Sequence, residues 1–308
     1  MLVRIAWFVR ALSMICAVGI LGCRETAISA DAPPLKRVAS REWTFDDLPP
    51  GTMPPGFAPA ETNGRGKVGL WQTVTDTTAP SPPNAFGLVK TENRGETFNL
   101  AIVEGATYDD LDLSVRFKAV QGKEDQGGGP IWRCKDANNY YIVRANPLEG
   151  NFRIYKVVAG WREQLASANA KMPSGQWREI RIVMLGDQIA AWLDGKALLQ
   201  VRDAEFQRGK IGLWTKADAV TYFDNLSAAS IALDGAGLFK SRCVECHSLD
   251  RVLEKRDYTA DDWRRTVDNM LEKQGARDTI SEREAAAIAE FLSDSDWGKQ
   301  VNAKEAMK

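Results

Sequence analysis

The residues best suited to chemistry are two cysteines followed directly by the only histidine of the chain. Cys243 and Cys246 are separated by two residues, and His247 comes next. Thiolates and imidazoles are metal ligands, and a thiolate is also a nucleophile, so this grouping indicates a dedicated chemical site. Because the chain has no second histidine, any further ligand of this site must be a residue of another type.

Three kinds of site are compatible with this spacing. A structural zinc site needs four ligands, and the chain offers too few, since Cys134 is distant in sequence. A thioredoxin-like dithiol would lie at a strand-to-helix turn, whereas the surrounding sequence is helical; a plain disulfide is the related alternative. The third site is covalent haem c, for which C-x-x-C-H supplies two thioether sulfurs and one axial imidazole. The motif favours haem c, with zinc and a dithiol or disulfide as the alternatives.

Met270 is the predicted second axial ligand of that haem. It lies on the apolar face of a predicted helix, and only Met270 and Met307 of the seven methionines fall in this part of the chain. A methionine on an apolar stripe is also an ordinary core residue. Ligation by histidine and methionine would fill both axial positions and favour electron transfer, whereas an open position would suit a sensor.

The amino terminus predicts export. Residues 1–23 contain two arginines, then an apolar run, then Gly22 and Cys23. This pattern is typical of a signal peptide, and its apolar run is shorter than the roughly 20 residues of a membrane span. The ending ILGC resembles a bacterial lipobox, which implies lipidation of Cys23; the alternative is cleavage elsewhere, near Ala27 or Ala30. With Arg24 after the cysteine, the resemblance to lipoproteins of Gram-negative bacteria implies the outer membrane, with a lipid as the only anchor.

Length and composition indicate two soluble domains. The chain has 308 residues, of which 44% are hydrophobic and 26% charged, with a formal net charge of -1. Such a length suggests about two domains, and the charge gives no reason to expect a nucleic-acid partner.

Residues 41–230 read as an all-β domain. Short segments such as DLDLSVRFKAV and WREIRIVML alternate apolar and polar residues, and Gly150, Gly186 and Gly195 stand in short connections between such segments. This pattern predicts hairpins, and many short strands without helical periodicity predict a two-sheet sandwich. Cys134, in a strand-like run, is predicted to be a small buried residue.

The segments NNYYIVRANPLEGNFRIYKVV, GQWREIRIVMLGDQIAAWLDGKALL and GKIGLWTKADAVTYFDNL resemble the concanavalin-like jelly rolls of laminin-G-type and 3-keto-disaccharide hydrolase-like proteins. This resemblance implies a fold that hosts sugar binding, hydrolysis or plain scaffolding. Trp132, Tyr140 and Trp161 are the predicted carbohydrate contacts, with burial in the core as the alternative.

A glycoside-cleaving role for the sandwich is the alternative function. The closely spaced Glu-x-Asp-x-x-Glu carboxylates of related glucanases are missing from this domain. Glu104, Asp136 and Asp224 are residual acid candidates with no spacing argument. The prediction therefore names no catalytic residue.

Residues 231–295 read as a small helical domain. The pattern predicts helices near 234–243, over 260–274 and over 282–291, with Asp234, Thr259 and Ser281 as their caps. GAGLF before CVECH, and a last helix ending IAEFL that would cross the first, resemble monohaem cytochromes c.

The sequence thus predicts a membrane-tethered cytochrome c that transfers single electrons to a redox partner protein, with a sandwich that binds carbohydrate or docks that partner. The alternative is a glycoside-acting hydrolase or lyase with an accessory haem domain. The predicted parts are a signal peptide (1–23), a flexible tether (24–40), the sandwich (41–230), the cytochrome c domain (231–295) and a tail (296–308).

Overall fold

The structure is a computed structural model that describes residues 33–243, 248, 250–255, 257–273, 276, 280–294 and 297. The predictions for Cys23, Cys246 and His247, for the signal peptide and for most of the carboxyl-terminal tail lie outside the described residues.

In the part of the chain that the structure describes, fifteen strands precede the helices. They are β1 (Leu35–Trp43), β2 (Phe57–Glu61), β3 (Leu70–Thr75), β4 (Asn84–Lys90), β5 (Phe98–Val103), β6 (Leu111–Gln121), β7 (Gly128–Asp136), β8 (Asn139–Asn146), β9 (Asn151–Val158), β10 (Trp161–Asn169), β11 (Arg178–Leu185), β12 (Gln188–Leu193), β13 (Lys196–Arg202), β14 (Lys210–Lys216) and β15 (Val220–Leu233).

The strands form two antiparallel sheets. Sheet A has the order β13-β12-β11-β6-β15-β4-β3, and β1 also pairs with β15. Sheet B has the order β10-β9-β8-β7-β14-β5-β2. Inward side chains of both sheets, such as Leu113, Ile182 and Val143, are fully buried in one core. The predicted all-β two-sheet sandwich is therefore confirmed.

The hairpin turns follow the predicted glycines. Strands β12 and β13 join through Asp194 and Gly195, whose φ angles are 50° and 75°. Positive φ at both central residues is what a tight hairpin turn with the right-handed strand twist requires, and Asp-Gly is a preferred pair there. Gly150 and Gly186, with φ of 64° and 61°, stand at the two other predicted turns.

The predicted tether is partly wrong. β1 begins at Leu35, inside the segment 24–40, and pairs with β15 from Leu35↔Leu233 to Trp43↔Leu226. All but the last residue of β1 are exposed, so the strand shows no apolar alternation that a sequence pattern could reveal. The sandwich also extends past residue 230, because β15 runs to Leu233.

Among the described residues after the sandwich there are four helices: α1 (Gly235–Arg242), α2 (Asp250–Leu253), α3 (Ala260–Lys273) and α4 (Glu282–Ser293). Three of them match predicted helices, whereas the four-residue α2 was not predicted. The capping box of Ser281 and Glu284 is confirmed, and Thr259 and Asp262 exchange the equivalent hydrogen bonds. Asp234 stands at the N-cap of α1, but its side chain makes no capping hydrogen bond, so that part of the prediction is wrong.

The helical segment has a core of its own. Phe239 of α1, Trp263 of α3 and Ile288 of α4 are buried together. α1 crosses α4 closely at Gly235, where an added Cβ would overlap the carbonyl oxygen of Ala287 and the Cβ of Phe291. The predicted crossing of the first and last helices is confirmed, and it depends on the absence of a side chain at position 235.

None of the helices in the described part of the chain is long and apolar enough to cross a bilayer.

Candidate functional site

The outward faces of the two sheets differ in what they offer a ligand. On sheet B, the outward side chains of Leu100, Ile142 and Trp214 have no exposed surface and form a second apolar cluster. On sheet A, the outward side chains of β6 are polar and include Ser114, which lines a cavity, and Arg116, which is partly exposed. Of these two faces, the outward face of sheet A therefore presents more polar side chains to solvent.

A β-bulge shapes this face. The register between β15 and β6 shifts between Asp224, opposite Arg116, and Ser227, opposite Ser114. The extra residue Asn225 has φ of 47°, a left-handed conformation that asparagine tolerates better than most residues. Bulges are frequent next to functional sites because they re-aim a side chain.

A cavity of about 620 Å³ lies beside the bulge, and we call it the bulge cavity. Its volume falls within the roughly 300 to 1,000 Å³ of typical ligand pockets. Its lining is polar and includes Arg37, Glu42, Ser81, Arg116, Glu179 and Asn225. Two carboxylates and two guanidinium groups balance in charge, which suits a neutral ligand rich in hydroxyl groups.

The side-chain oxygen Oδ1 of Asn225 is a buried acceptor without a protein partner. This atom is buried and accepts no hydrogen bond from another protein group, and its residue is among those that line the bulge cavity. A buried polar atom without a partner costs about 1 to 3 kcal/mol, so such atoms usually meet water or a bound molecule.

Asp224 fixes the position of the bulge through hydrogen bonds to backbone N–H groups. Its side chain is fully buried, and its carboxylate accepts hydrogen bonds from the backbone N–H of Ser81 at 2.8 Å and of Asn225 at 2.7 Å. The Ser81 hydroxyl in turn donates to Asp46 at 2.5 Å. Asp224 thus fixes two residues that line the cavity and serves as a positioning residue.

Glu179 and Arg116 form the charged pair of the cavity. Arg116 Nη2 lies 2.7 Å from Glu179 Oε2, and the two side chains remain 41% and 31% exposed. A partly exposed carboxylate beside a guanidinium group can accept a proton from a bound molecule while the arginine stabilises developing negative charge.

Burial raises the pKa of Asp224 from 3.8 to about 6, and the nearby carboxylates of Asp46 and Asp76 add to this effect. The folded state therefore holds the Asp224 proton more tightly than the unfolded chain does. The stabilisation of the fold that comes from binding this proton is fully present below pH 3.8 and is lost as the pH rises through about 6.

Asp224→Asn tests this titration. When the pH is lowered from 7.5 to 4, we expect the difference in free energy of unfolding between the wild type and the variant to shift in favour of the wild type. The expected shift is on the order of 2 to 3 kcal/mol. Urea unfolding of both proteins across this range measures the difference. A difference that does not change with pH would show that Asp224 does not titrate there.

Two of the three predicted carbohydrate contacts are wrong. Trp132 and Tyr140 have no exposed surface, because Trp132 points between the sheets and Tyr140 joins the apolar cluster of sheet B. Strand periodicity shows which residues share a face but not that both faces of sheet B are covered. Trp161 is 73% exposed, with the Arg65 guanidinium 5.8 Å from its ring centroid, but it belongs to the edge strand β10 of sheet B. Its sugar contact remains a prediction.

The three residual acid candidates from the sequence, Glu104, Asp136 and Asp224, have different surroundings. Glu104 pairs with Lys210 at 2.5 Å, and Asp136 accepts hydrogen bonds from Asn138 and Asn139 in its own turn. Only Asp224 lies next to the bulge cavity. The residues that line the cavity come from distant segments, and no local sequence signal groups Glu42, Glu179 and Asn225.

Cys134 matches its prediction. It is 1% exposed, and burial raises the pKa of its thiol to about 12, so it is an unreactive core residue.

The helical segment has features compatible with a bound haem. Cys243 follows α1 directly and packs against the helical core, and Met270 is half-buried on α3. Trp263 is 2% exposed, and its Nε1 has no hydrogen-bond partner. A buried N–H without a protein partner usually donates to ordered water or to a bound molecule. Among the described residues, no group of three or more histidine, cysteine or acidic side chains could hold a metal ion.

The two packed antiparallel sheets form a concanavalin-like jelly roll, and the outward face of sheet A is polar. A family model described as the 3-keto-alpha-glucoside-1,2-lyase-like domain matches residues 61–228, and the chain belongs to this family. A search of curated proteins found no match.

The solved structures to which this chain is similar are distant from it. A family 66 carbohydrate-binding module from Bacillus subtilis is 17% identical, covering 57% of this chain and 96% of the module, with a TM-score of 0.46. A beta-glucanase from Bacillus licheniformis is 12% identical over 63% of this chain and 99% of the glucanase, with a TM-score of 0.44. Domain 4 of an arabinanase from Geobacillus stearothermophilus, in complex with arabinotriose, is 12% identical over 64% of this chain and 93% of that domain, with a TM-score of 0.41.

Proposed function

We propose that the sandwich binds a 3-keto glycoside in the bulge cavity and cleaves it by elimination. The observation that carries this proposal is the polar cavity on sheet A with the buried, unpartnered Oδ1 of Asn225. Membership of the 3-keto-alpha-glucoside-1,2-lyase-like family supports the choice of substrate. This function corresponds to the alternative predicted from the sequence, a glycoside-acting hydrolase or lyase. In this proposal the sandwich is the domain that performs the reaction.

The chemistry follows from the ketone. A carbonyl at C3 of a sugar acidifies the proton on C2, since the resulting negative charge spreads onto the ketone oxygen. Glu179 takes this proton, and Arg116 stabilises the charge on the oxygen. The bond between C1 and the glycosidic oxygen then breaks, a C1–C2 double bond forms, and the departing oxygen takes a proton from solvent. No oxidant is needed for this step.

Asn225 orients the sugar in this proposal. Its Oδ1, which has no protein hydrogen-bond partner, accepts a hydrogen bond from a sugar hydroxyl. Such a bond to a buried polar atom discriminates strongly against a ligand that cannot donate.

Proton NMR of the wild type with methyl 3-keto-α-glucoside tests the proposal. We expect release of methanol and a new vinyl proton signal. Asn225→Gly, which tolerates the positive φ but lacks the amide, should raise KM by roughly tenfold or more, because a lost buried hydrogen bond costs about 1 to 3 kcal/mol. An unreacted substrate with the wild type would overturn the proposed function.

The second candidate function is electron transfer by covalent haem c in the helical segment. The observation that favours it is the C-x-x-C-H motif directly after α1, a helix that crosses α4 as the resemblance to monohaem cytochromes c implied. Cys243 and Cys246 would hold the porphyrin through thioether bonds, and His247 and Met270 would fill the axial positions. A bound haem c would supply reversible one-electron transfer to a redox partner protein.

The cellular location belongs to the same proposal. Thioether attachment of haem takes place outside the cytoplasm, which agrees with the signal-like residues 1–23. Lipidation of Cys23 would then hold the protein at the outer membrane, with the sandwich and the helical segment beyond the anchor.

A further inference from the structure

A second cavity lies on the same outward face of sheet A. Its volume is about 730 Å³, and it is enclosed between β11–β13 and the first turn of α4. Its floor consists of outward side chains, among them Arg181, Gln188, Trp192 and Gln200, and α4 contributes Arg283. Because it lies between the sandwich and the helices, we call it the interface cavity.

Asp112 connects the two cavities. Its carboxylate is 7% exposed and accepts hydrogen bonds from Arg37 at 2.7 Å and from Arg181 at 2.8 and 2.9 Å. Arg37 lines the bulge cavity and Arg181 lines the interface cavity. The cavities are therefore neighbours, separated by one bridge of three side chains.

The bridge is a stable feature of this face. Burial alone would raise the pKa of Asp112, but hydrogen bonds from Arg181 and Arg37 hold it below its ordinary value. Asp112 thus stays ionised at neutral pH and keeps both guanidinium groups in place. Their remaining N–H groups are available to hydroxyl oxygens of a ligand that passes from one cavity to the other.

The interface cavity combines an aromatic ring with neutral amides. Trp192 is half-buried, and the Arg181 guanidinium lies 5.0 Å from its ring centroid. Gln188 lies on β12, the strand of Trp192, and Gln200 lies on β13 opposite Ala190; each amide offers a donor and an acceptor. A flat apolar ring beside neutral amide groups suits a sugar ring, which has apolar C–H faces and hydroxyl groups at its edge.

We propose that the bulge cavity and the interface cavity form one groove that takes an oligosaccharide. The reacting 3-keto sugar lies in the bulge cavity, the chain crosses the Asp112 bridge, and a further sugar stacks on Trp192. This inference rests on the proposed function and adds the length of the substrate to it. The helical segment, through α4, supplies one wall of the groove.

A series of 3-keto glycosides with leaving groups of increasing length tests this groove. The probes are 3-keto-α-glucosides whose leaving groups are methanol, glucose, maltose and maltotriose. They are assayed with the full-length protein. We expect kcat/KM to rise at least tenfold from the methyl glycoside to the longest member. Trp192→Ala should reduce the ratio of kcat/KM for the longest substrate to kcat/KM for the shortest at least threefold. Gln200→Ala, at an exposed position, should independently reduce the same ratio at least threefold.

Leu148→Ala is the control, because it removes an exposed apolar side chain from the turn between β8 and β9 of sheet B, outside both cavities. We expect it to leave the ratio unchanged. Equal kcat/KM values for short and long substrates, or a ratio unaffected by both groove variants, would overturn the oligosaccharide groove and leave the proposed function intact. Absence of turnover on every substrate would overturn the proposed function, and the groove with it.

Discussion

Glu179→Gln is expected to lower kcat on 3-keto glycosides by roughly 100- to 10,000-fold, the usual contribution of a general base. The amide has nearly the same shape as the carboxylate but cannot accept the C2 proton. Because the loss falls on the proton transfer, KM should change much less than kcat. Initial rates measured by methanol release give both constants.

The fold should survive this substitution. Glu179 is 31% exposed and its pair with Arg116 lies at the surface, where such pairs contribute about 0 to 1 kcal/mol. Glu163→Gln is the control: Glu163 is a 66% exposed acid on β10, 3.7 Å from Lys156. We expect normal kcat for Glu163→Gln and unchanged melting temperatures for both variants. A Glu179→Gln protein with wild-type kcat would exclude Glu179 as the base.

The second large effect concerns the haem. The double variant Cys243→Ser, Cys246→Ser should lose covalent haem completely, because no thiol then remains at the motif to form a thioether bond. The wild type should keep its haem through acid-acetone extraction and show the absorption bands of a c-type cytochrome after reduction with dithionite. Extraction and reduced spectra of both proteins measure this difference.

Cys134→Ala is the control for general loss of cysteine. Cys134 lies buried in the sandwich with its Sγ 3.2 Å from the carbonyl oxygen of Asp136, so this variant should keep the haem. A wild type without covalent haem would contradict the second candidate function but leave the lyase proposal unaffected. Haem retained by the double variant would show that it is attached elsewhere.

Local patterns predicted the local elements well. The Asp194-Gly195 turn and the capping box of Ser281 and Glu284 each depend on a few neighbouring residues. These signals are strong because turn and cap geometry restrict the residue types that fit. β1 was missed because its exposed residues carry no periodic signal.

The candidate site could not be predicted because it is assembled over long distances in sequence. Ser81 reaches Asp224 across 143 residues, and Arg181 reaches Asp112 across 69. The bulge at Asn225 is a mismatch in pairing between β15 and β6, which neither strand shows by itself. The buried state of Trp132 and Tyr140 likewise depends on what covers each face of sheet B, which alternation along one strand does not reveal.

The most direct test is a crystal structure of Glu179→Gln soaked with methyl 3-keto-α-glucoside. The proposal predicts the intact sugar in the bulge cavity, with a hydroxyl group within hydrogen-bond distance of the Asn225 side chain and C2 facing residue 179. A sugar bound at Trp161 on the edge of sheet B, or a bulge cavity that contains only water at saturating ligand, would contradict it.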